Sequence, residues 1–501
     1  MRGRVHALAA SFALALVAFA GPVADRSPAA ESAERIPVIL FVFDELPTVS
    51  LLKGPGVIDR KRFPNFSRLS RDATWYPNHT TSSQFTVNSL PTLLTGRRVA
   101  ADGKTATYGN YPFNLFSLLR WNGYSQEIRE FTSELCPQEF CALPEGEIGA
   151  EQDITDPWDF IRFKIRSRFQ LVRELFPRWL DSRSFGTEFL FAHSFLPHEP
   201  YYYLPGGQRY QSGAMPRLAE GGLGRILDSK AAAGQALQRQ QIQLARVDEL
   251  LGNLRRRIHE AGLWNRAMVI VTSDHGSSFR SGSNRRTIHK RNVASIAHAP
   301  LFIKYPGQKR GGPDPTRTQE VDILPTIAET VGVDPFPGMD GMPISKVDDP
   351  WRPANVDGLQ FGRGLLERRL EMDLNLKRRM LGERGIWQMG PKAGLIGRKI
   401  PPASKKRTGK PALSIDNRKE FSGVRPAANW IPAMIYGRST KLKPGTVLAL
   451  GLNGRIAGTA RVFEDGGLNR FGTVVNPKLL RKVNRVTVNL VRGGRLGRRI
   501  Y

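Results

Sequence analysis

Met268-Val-Ile-Val-Thr-Ser-Asp-His-Gly276 is a short apolar run that stops abruptly at a carboxylate and an imidazole. A strand of this kind, rich in β-branched residues and closed by a glycine, is the pattern of a buried strand that delivers polar side chains at a sheet edge. Asp274 beside His275 suits Zn²⁺, Mn²⁺ or another borderline-hard cation. The same pair can also do no more than tie the following loop. A second run, Pro37-Val-Ile-Leu-Phe-Val-Phe43, is apolar without alternation, as in parallel strands buried on both faces, and it ends in Asp44-Glu45. Open α/β sheets place their sites at such carboxyl ends. These two strand ends predict a divalent-metal site built from Asp44, Glu45, Asp274 and His275, holding Zn, Mn or Ca as one ion or two.

Between the two strands lies Thr86-Val-Asn-Ser-Leu-Pro-Thr-Leu-Leu-Thr-Gly-Arg97. It predicts a helix whose first residue is a hydroxyl, among free backbone N–H groups that favour phosphate or sulfate. An N-cap needs the same residue type at the same place, so the motif alone leaves both roles for Thr86 open.

The segments occur in an order that resembles the alkaline phosphatase superfamily, in particular its sulfatase-like branch. Asp44-Glu45, the nucleophile segment ending in Leu93-Leu-Thr-Gly-Arg97, Pro197-His-Glu-Pro200 and Ser273-Asp-His-Gly276 carry the resemblance. So do His298-Ala-Pro-Leu-Phe-Ile-Lys-Tyr-Pro-Gly307, Asp322-Ile-Leu-Pro-Thr326 and Met339-Asp-Gly-Met-Pro343. Together they span about residues 36–346. The resemblance implies a mixed, mostly parallel sheet sandwiched by helices, with Thr86 as nucleophile. Sulfatases carry Cys or Ser in Cys/Ser-x-Pro-x-Arg and oxidise it to formylglycine. Here Thr86 stands in that register and Leu90 replaces the Arg. Thr86-x-x-Ser89-x-Pro91 is instead similar to the phosphoethanolamine transferases, which implies transfer of a phosphoryl-type group through phospho-Thr86. The resemblance further implies catalytic roles for His198 and Lys290, and substrate contacts from His193, His289 and His298. His193 and His298 are equally explained as structural histidines, and Lys290 as part of a solvated basic loop with Arg285, Arg286 and Arg291.

The chain has 501 residues, of which 40% are hydrophobic, which is ample for a large core and excludes a disordered protein. Met1-Arg-Gly-Arg4 followed by an apolar stretch from Ala7 to Ala20 predicts an export signal or N-terminal anchor over residues 1–24. The two cysteines, Cys136 and Cys141, suit a local disulfide in an oxidising compartment. Residues 36–346 are expected to form the catalytic domain, with an amphipathic helix from about Asp228 to Ala261 leading into the Asp274 strand. An Arg-rich helical extension over residues 347–395 and a linker over 396–412 follow. Runs such as Thr446–Leu450, Ile456–Phe463 and Val483–Val491, punctuated by Gly, Asn and Pro, predict a small β-sandwich over residues 413–501. Residues 351–501 carry 32 Lys and Arg against 9 Asp and Glu, or +23 of the total +29. Charge segregated in this way attracts an anionic polymer or membrane surface, and nucleic acid is not expected because no reading motif accompanies it.

The expected activity is therefore exported, metal-dependent phosphoryl-type transfer or hydrolysis on an envelope lipid or glycan. Sulfuric ester hydrolysis is one alternative, and a non-catalytic envelope-binding role is the other.

Overall fold

The computed structural model describes residues 35–100, 102–130, 132–137, 180, 186–210, 229–402 and 413–501. The segment expected to act as signal or anchor, Cys141 of the expected disulfide and much of the expected linker lie outside these residues. The chain divides into two units, Met1–Arg35 and Ile36–Tyr501, and every strand and helix among the described residues lies in the second.

Seven strands form the central sheet: β1 (Val38–Asp44), β2 (Thr74–Trp75), β3 (Gln126–Arg129), β4 (Phe189–Pro197), β5 (Met268–Ser273), β6 (Leu301–Lys304) and β7 (Gly312–Pro313). Their spatial order is β3-β4-β1-β5-β6-β2-β7. The four strands β3, β4, β1 and β5 run parallel, and β6 is antiparallel to both neighbours. The sheet is thus mixed and mostly parallel. Every residue of β1 is buried because both sheet faces are covered. Ile39, Phe41 and Phe43 join one core with Val269, Val271 and the helix Pro64–Asp72, whereas Val38, Leu40 and Val42 join another with Met268 and Ile270. The second core is completed by helix α1 (Thr86–Thr95) and by α3 (Ile323–Val331).

Helix α2 (Lys230–Glu260) matches the expected amphipathic helix, capped by the Ser229 hydroxyl accepting from Ala232 N–H at 3.1 Å. It is longer than the sheet requires, and its two halves bury different surfaces. Leu244 to Ile258 pack on the sheet, while Ala232, Ala233, Ala236, Leu237 and Ile242 pack into the core of the C-terminal region. That first half buries Gln235, Gln238, Arg239, Gln240, Gln241 and Gln243. Buried amides must be bonded, and two of them tie elements together. Gln243 Nε2 donates to Pro197 O at 3.1 Å and to His198 O at 2.9 Å, and its Oε1 accepts from Tyr202 N–H at 2.8 Å. Gln238 Nε2 donates to Met389 O at 2.8 Å, and its Oε1 accepts from Val474 N–H at 3.2 Å. One helix therefore positions the loop after β4 and anchors the C-terminal region.

That region contains two four-stranded sheets. The first is made of Ser414–Ile415, Met434–Ser439, Leu468–Val474 and Phe463–Asp465, the second of Arg455–Arg461, Val447–Leu452, Val486–Arg492 and Arg495–Arg499. All neighbouring strands are antiparallel, and residues of both sheets share one core. This is the expected β-sandwich.

The Arg-rich helix α4 (Arg363–Leu381) does more than lie outside the core. Lys377 is buried, and its ammonium donates to Val49 O at 2.8 Å, to Ser50 O at 3.1 Å and to Leu52 O. It satisfies the carbonyls at the end of the short helix Thr48–Leu51, directly after Asp44-Glu45.

Candidate active site

Parallel strands β1, β4 and β5 end side by side, so their C-terminal residues converge. Asp274 is the hub. Its Oδ1 accepts from Glu45 N–H at 3.0 Å and His275 N–H at 2.6 Å, and its Oδ2 accepts from the Thr86 hydroxyl at 2.7 Å. Its carbonyl accepts from Thr81 Oγ1 at 2.5 Å and Ser89 Oγ at 2.8 Å. Gly276 is required next in sequence, because a Cβ there would lie 2.2 Å from Ser295 O and 3.0 Å from Pro47 Cβ.

Thr86 is the first residue of α1, whose N-cap residue is Phe85, and no side chain caps the helix. The hydroxyl is thus free of the capping role and is aimed at Asp274. His275 Nε2 lies 3.3 Å from the same oxygen. The other ring nitrogen, Nδ1, is 3.0 Å from the Gly276 carbonyl, which only accepts, so Nδ1 carries the proton and Nε2 faces Thr86 as a bare lone pair. Burial holds the His275 pKa below its ordinary value, which favours this neutral form.

Behind Asp274 lies Glu320, whose Oε1 contacts Ser89 Oγ and whose Oε2 accepts from Ser82 N–H at 3.0 Å. Burial pushes its pKa well up, and Asp274 adds to this. Ser89 Oγ lies within hydrogen-bond reach of both this carboxyl and the Asp274 carbonyl. Ser89 thus belongs to the support of Asp274.

One ligand atom each from Asp44, His193 and Asp274 lie within 4.8 Å of one another, and all three residues are buried. His193 Nε2 is buried without a hydrogen-bond partner among the described residues. Two carboxylates, a bare imidazole nitrogen and the neighbouring Thr86 and His275 fit a divalent cation.

Glu45 has a different partnership from the one expected. The residue adopts φ 59°, a left-handed conformation that costs a non-glycine residue about 1–3 kcal/mol, and it is held there by its N–H bond to Asp274. Its carboxylate turns to Arg285, to Arg286 at 2.6 Å and to His198 Nε2 at 3.2 Å. Burial alone would raise the Glu45 pKa, but Arg285 and Arg286 together hold it well below the usual range. Arg285 also pairs with Glu199 at 2.6 Å and donates to Tyr201 Oη at 3.1 Å. The basic loop is therefore inserted at Arg285 and Arg286 and exposed at Lys290 and Arg291.

The remaining expected residues separate. His198 joins the Glu45 cluster, and His193 joins Asp44 and Asp274. Lys290 is exposed, and half-buried His289 accepts from Arg291 N–H at 3.2 Å. Among the described residues neither makes a hydrogen bond or ion pair to Asp44, Thr86, Asp274 or His275. His298 is buried elsewhere, its Nδ1 3.2 Å from His79 O, and burial lowers its pKa to about 4. That environment is the one a structural histidine needs. Glu130, Thr132 and Glu320 carry no motif in the sequence, and Arg285 and Arg286, expected in a solvated basic loop, are instead drawn in by Glu45. The only local signal was a polar run, Arg129-Glu-Phe-Thr-Ser133, directly after a strand.

A hydroxyl at a helix start thus stands beside a carboxylate–imidazole pair and a candidate cation site at the carboxyl ends of a mostly parallel sheet, the place where open α/β folds carry their sites. The chain belongs to the sulfatase family, within the alkaline phosphatase superfamily: the family's profile matches residues 38–333. Arylsulfatase K of Danio rerio is 32% identical over 98 residues, covering 19% of this chain and 18% of that protein. Lipoteichoic acid synthase 1 of Bacillus subtilis (strain 168) is 30% identical over 112 residues, covering 21% of this chain and 17% of that protein. The matched segments thus span less than a fifth of either relative. Among solved structures, the phosphonate monoester hydrolase of Agrobacterium radiobacter is 18% identical at a TM-score of 0.44, covering 64% of this chain and 79% of that one.

Proposed function

We propose that this chain is an exported, metal-dependent enzyme that transfers or hydrolyses a phosphoryl-type group through Thr86, acting on a cell-envelope lipid or glycan. The observation that carries the reading is the Thr86 hydroxyl, which caps nothing and donates to Asp274 at 2.7 Å with His275 Nε2 at 3.3 Å. In the first step Thr86 Oγ1 attacks phosphorus, its proton passes to the Asp274 carboxylate, and the bond to the donor oxygen breaks, the departing alkoxide taking a proton from solvent. The helix start, and Arg286, whose charge is felt at His275, would offset the charge that develops on the phosphoryl oxygens. In the second step water or an acceptor hydroxyl attacks phospho-Thr86 and gives up its own proton to solvent, while the P–Oγ1 bond breaks and Oγ1 recovers the proton held by Asp274. A divalent ion held by Asp44, His193 and Asp274 would supply Lewis acidity, lowering the Thr86 hydroxyl pKa and polarising the phosphoryl oxygen.

Threonine at this position supports phosphoryl over sulfuryl chemistry, because oxidation of its secondary alcohol gives a ketone and never the formylglycine aldehyde. Similarity to lipoteichoic acid synthase 1 supports an envelope substrate, and the N-terminal segment supports export. Sulfuric ester hydrolysis is the second reading, supported by the arylsulfatase K match. The basic C-terminal region is proposed to hold the enzyme on an anionic polymer or membrane surface.

The test is hydrolysis of aryl phosphomonoester, aryl phosphodiester and aryl sulfate by the purified chain with Zn²⁺, Mn²⁺, Ca²⁺ or chelator, alongside Thr86→Ala. Metal-dependent cleavage of a phosphorus ester, lost by at least about a thousandfold in Thr86→Ala, is expected. Cleavage of sulfate alone would favour the second reading, and full activity in Thr86→Ala would exclude a nucleophilic Thr86. Inertness toward all three esters would favour an envelope-binding role.

A further inference from the structure

His193 sits in β4, level with Val42 of β1, two residues before the β1 carboxylate. Its Nδ1 lies 2.9 Å from Thr132 Oγ1 and 3.5 Å from Glu130 Oε1, so the hydroxyl is the bonded partner. Glu130 is surrounded by donors. Its Oε1 accepts from Thr132 N–H at 2.8 Å, Thr132 Oγ1–H at 2.7 Å and Ser133 N–H at 3.0 Å. Its Oε2 accepts from Ser133 N–H at 2.8 Å and from the Ser133 hydroxyl. Every one of these contacts requires an acceptor, so Glu130 is a carboxylate and takes the single Thr132 hydroxyl proton. Thr132 Oγ1 can then only accept from His193, which places the imidazole proton on Nδ1. The opposite nitrogen, Nε2, is left as a buried lone pair that no described residue satisfies, which makes it the nitrogen free to act for His193 in the group formed with Asp44 and Asp274.

We propose that Glu130 and Thr132 are positioning residues that fix His193 as its Nδ1–H tautomer, making Nε2 a nitrogen ligand to a cation between Asp44 and Asp274, and that the site consequently prefers Zn²⁺ to Ca²⁺. Calcium takes six to eight oxygen ligands and gains little from an imidazole. Zinc binds imidazole and carboxylate in small, buried sets. A carboxylate that orients a ligating histidine through its distal nitrogen raises affinity, and its loss typically costs about 10–100-fold. The inference rests on the metal-dependent reading for the presence of a cation and on nothing about the reaction.

The experiment uses the full chain, stripped of metal. Zn²⁺ and Ca²⁺ are titrated by calorimetry into wild type, Thr132→Val, Thr132→Ser, Glu130→Gln and His193→Asn, and the metal-free thermal midpoint of each is recorded. Zn²⁺ affinity is expected to exceed Ca²⁺ affinity by about tenfold or more. It should fall about 10–100-fold in Thr132→Val and Glu130→Gln and further in His193→Asn, and recover in Thr132→Ser. In parallel, ¹⁵N-histidine NMR of the metal-free wild type should show His193 protonated at Nδ1 only, a readout that needs no variant to fold. Protonation at Nε2, Zn²⁺ affinity within twofold of wild type in both Thr132→Val and His193→Asn, or Ca²⁺ binding as tight as Zn²⁺, would overturn the proposal. The ester assays fail or succeed independently, so loss of the Thr86 chemistry and loss of this metal assignment are distinguishable.

Discussion

Replacing Glu45 by glutamine separates a structural counter-ion from a metal ligand. The carboxylate is 1% exposed and meets two guanidiniums, with Arg286 at 2.6 Å, and an imidazole at 3.2 Å. At an effective dielectric of about 20, each arginine at about 4 Å between charge centres contributes roughly 4 kcal/mol, or about 8 kcal/mol before desolvation. Desolvation offsets much of that gain, but it is not recovered when only the carboxylate is removed, because Arg285 stays buried. Removing one partner of such a pair costs about 3–5 kcal/mol. Thermal unfolding of the metal-free protein should therefore drop by roughly 3–5 °C, because the unfolding entropy of a chain of this size is about 1 kcal/mol/K. Glu45→Gln/Arg285→Met should recover part of the loss, with a coupling of about 1.5 kcal/mol or more in the double-mutant cycle. Because the folded-state pKa of Glu45 is depressed, its contribution is present above the unfolded value near 4.3 and is lost as pH falls through the folded value. The wild-type acid limb should be steeper than that of Glu45→Gln. The reasoning is refuted if metal-free Glu45→Gln unfolds within about 0.5 kcal/mol of wild type while its metal affinity falls tenfold. Glu45 would then be a ligand, as its place in the sequence suggested.

Glu320 has the opposite sign: its folded pKa is raised, so wild-type stability should decline as pH rises above about 4.3, and Glu320→Gln should flatten that decline in denaturant titrations at pH 5–9. Burial pushes the pKa of Lys377 down from 10.5 to about 7, so the unfolded chain holds the extra proton between these values. Stability should then rise from about pH 7 to about pH 10, and Lys377→Met should remove that rise, as measured by urea unfolding. Gly276→Ala should destabilise by about 1–3 kcal/mol through overlap with Ser295 O. Because it displaces Asp274, it should also weaken Zn²⁺ binding by calorimetry. Binding to vesicles of anionic lipid should fall steeply between about 0.05 and 0.3 M salt if the C-terminal charge carries it, with neutral vesicles as the control.

Much of the fold was legible in local pattern. The unbroken apolar runs Val38–Phe43 and Met268–Val271 belong to strands covered on both faces, and the periodicity before Ala261 marked α2 to within a residue or two. The turn-punctuated runs after residue 413 are the sandwich strands. What that reading undervalued was the buried polar side of α2. A glutamine-rich half-helix resembles a solvated face unless the bonds of Gln238 and Gln243 to distant carbonyls are known.

The sequence by itself determined which residue types end which strands, because strand ends and helix starts are set by near neighbours. Asp44, Asp274, His275 and Thr86 are placed by that logic alone. The tertiary structure decided how their charges are partnered. Glu45 reaches Arg285 and Arg286 across the sheet edge, and His193 reaches the Asp44 carboxylate because β4 pairs with β1 in one register. Glu130 reaches His193 only because β3 pairs with β4. A carboxylate ligates a metal or neutralises an arginine according to distances of a few ångströms. Residues separated by tens or hundreds of positions acquire those distances through strand order and register, which no local pattern encodes.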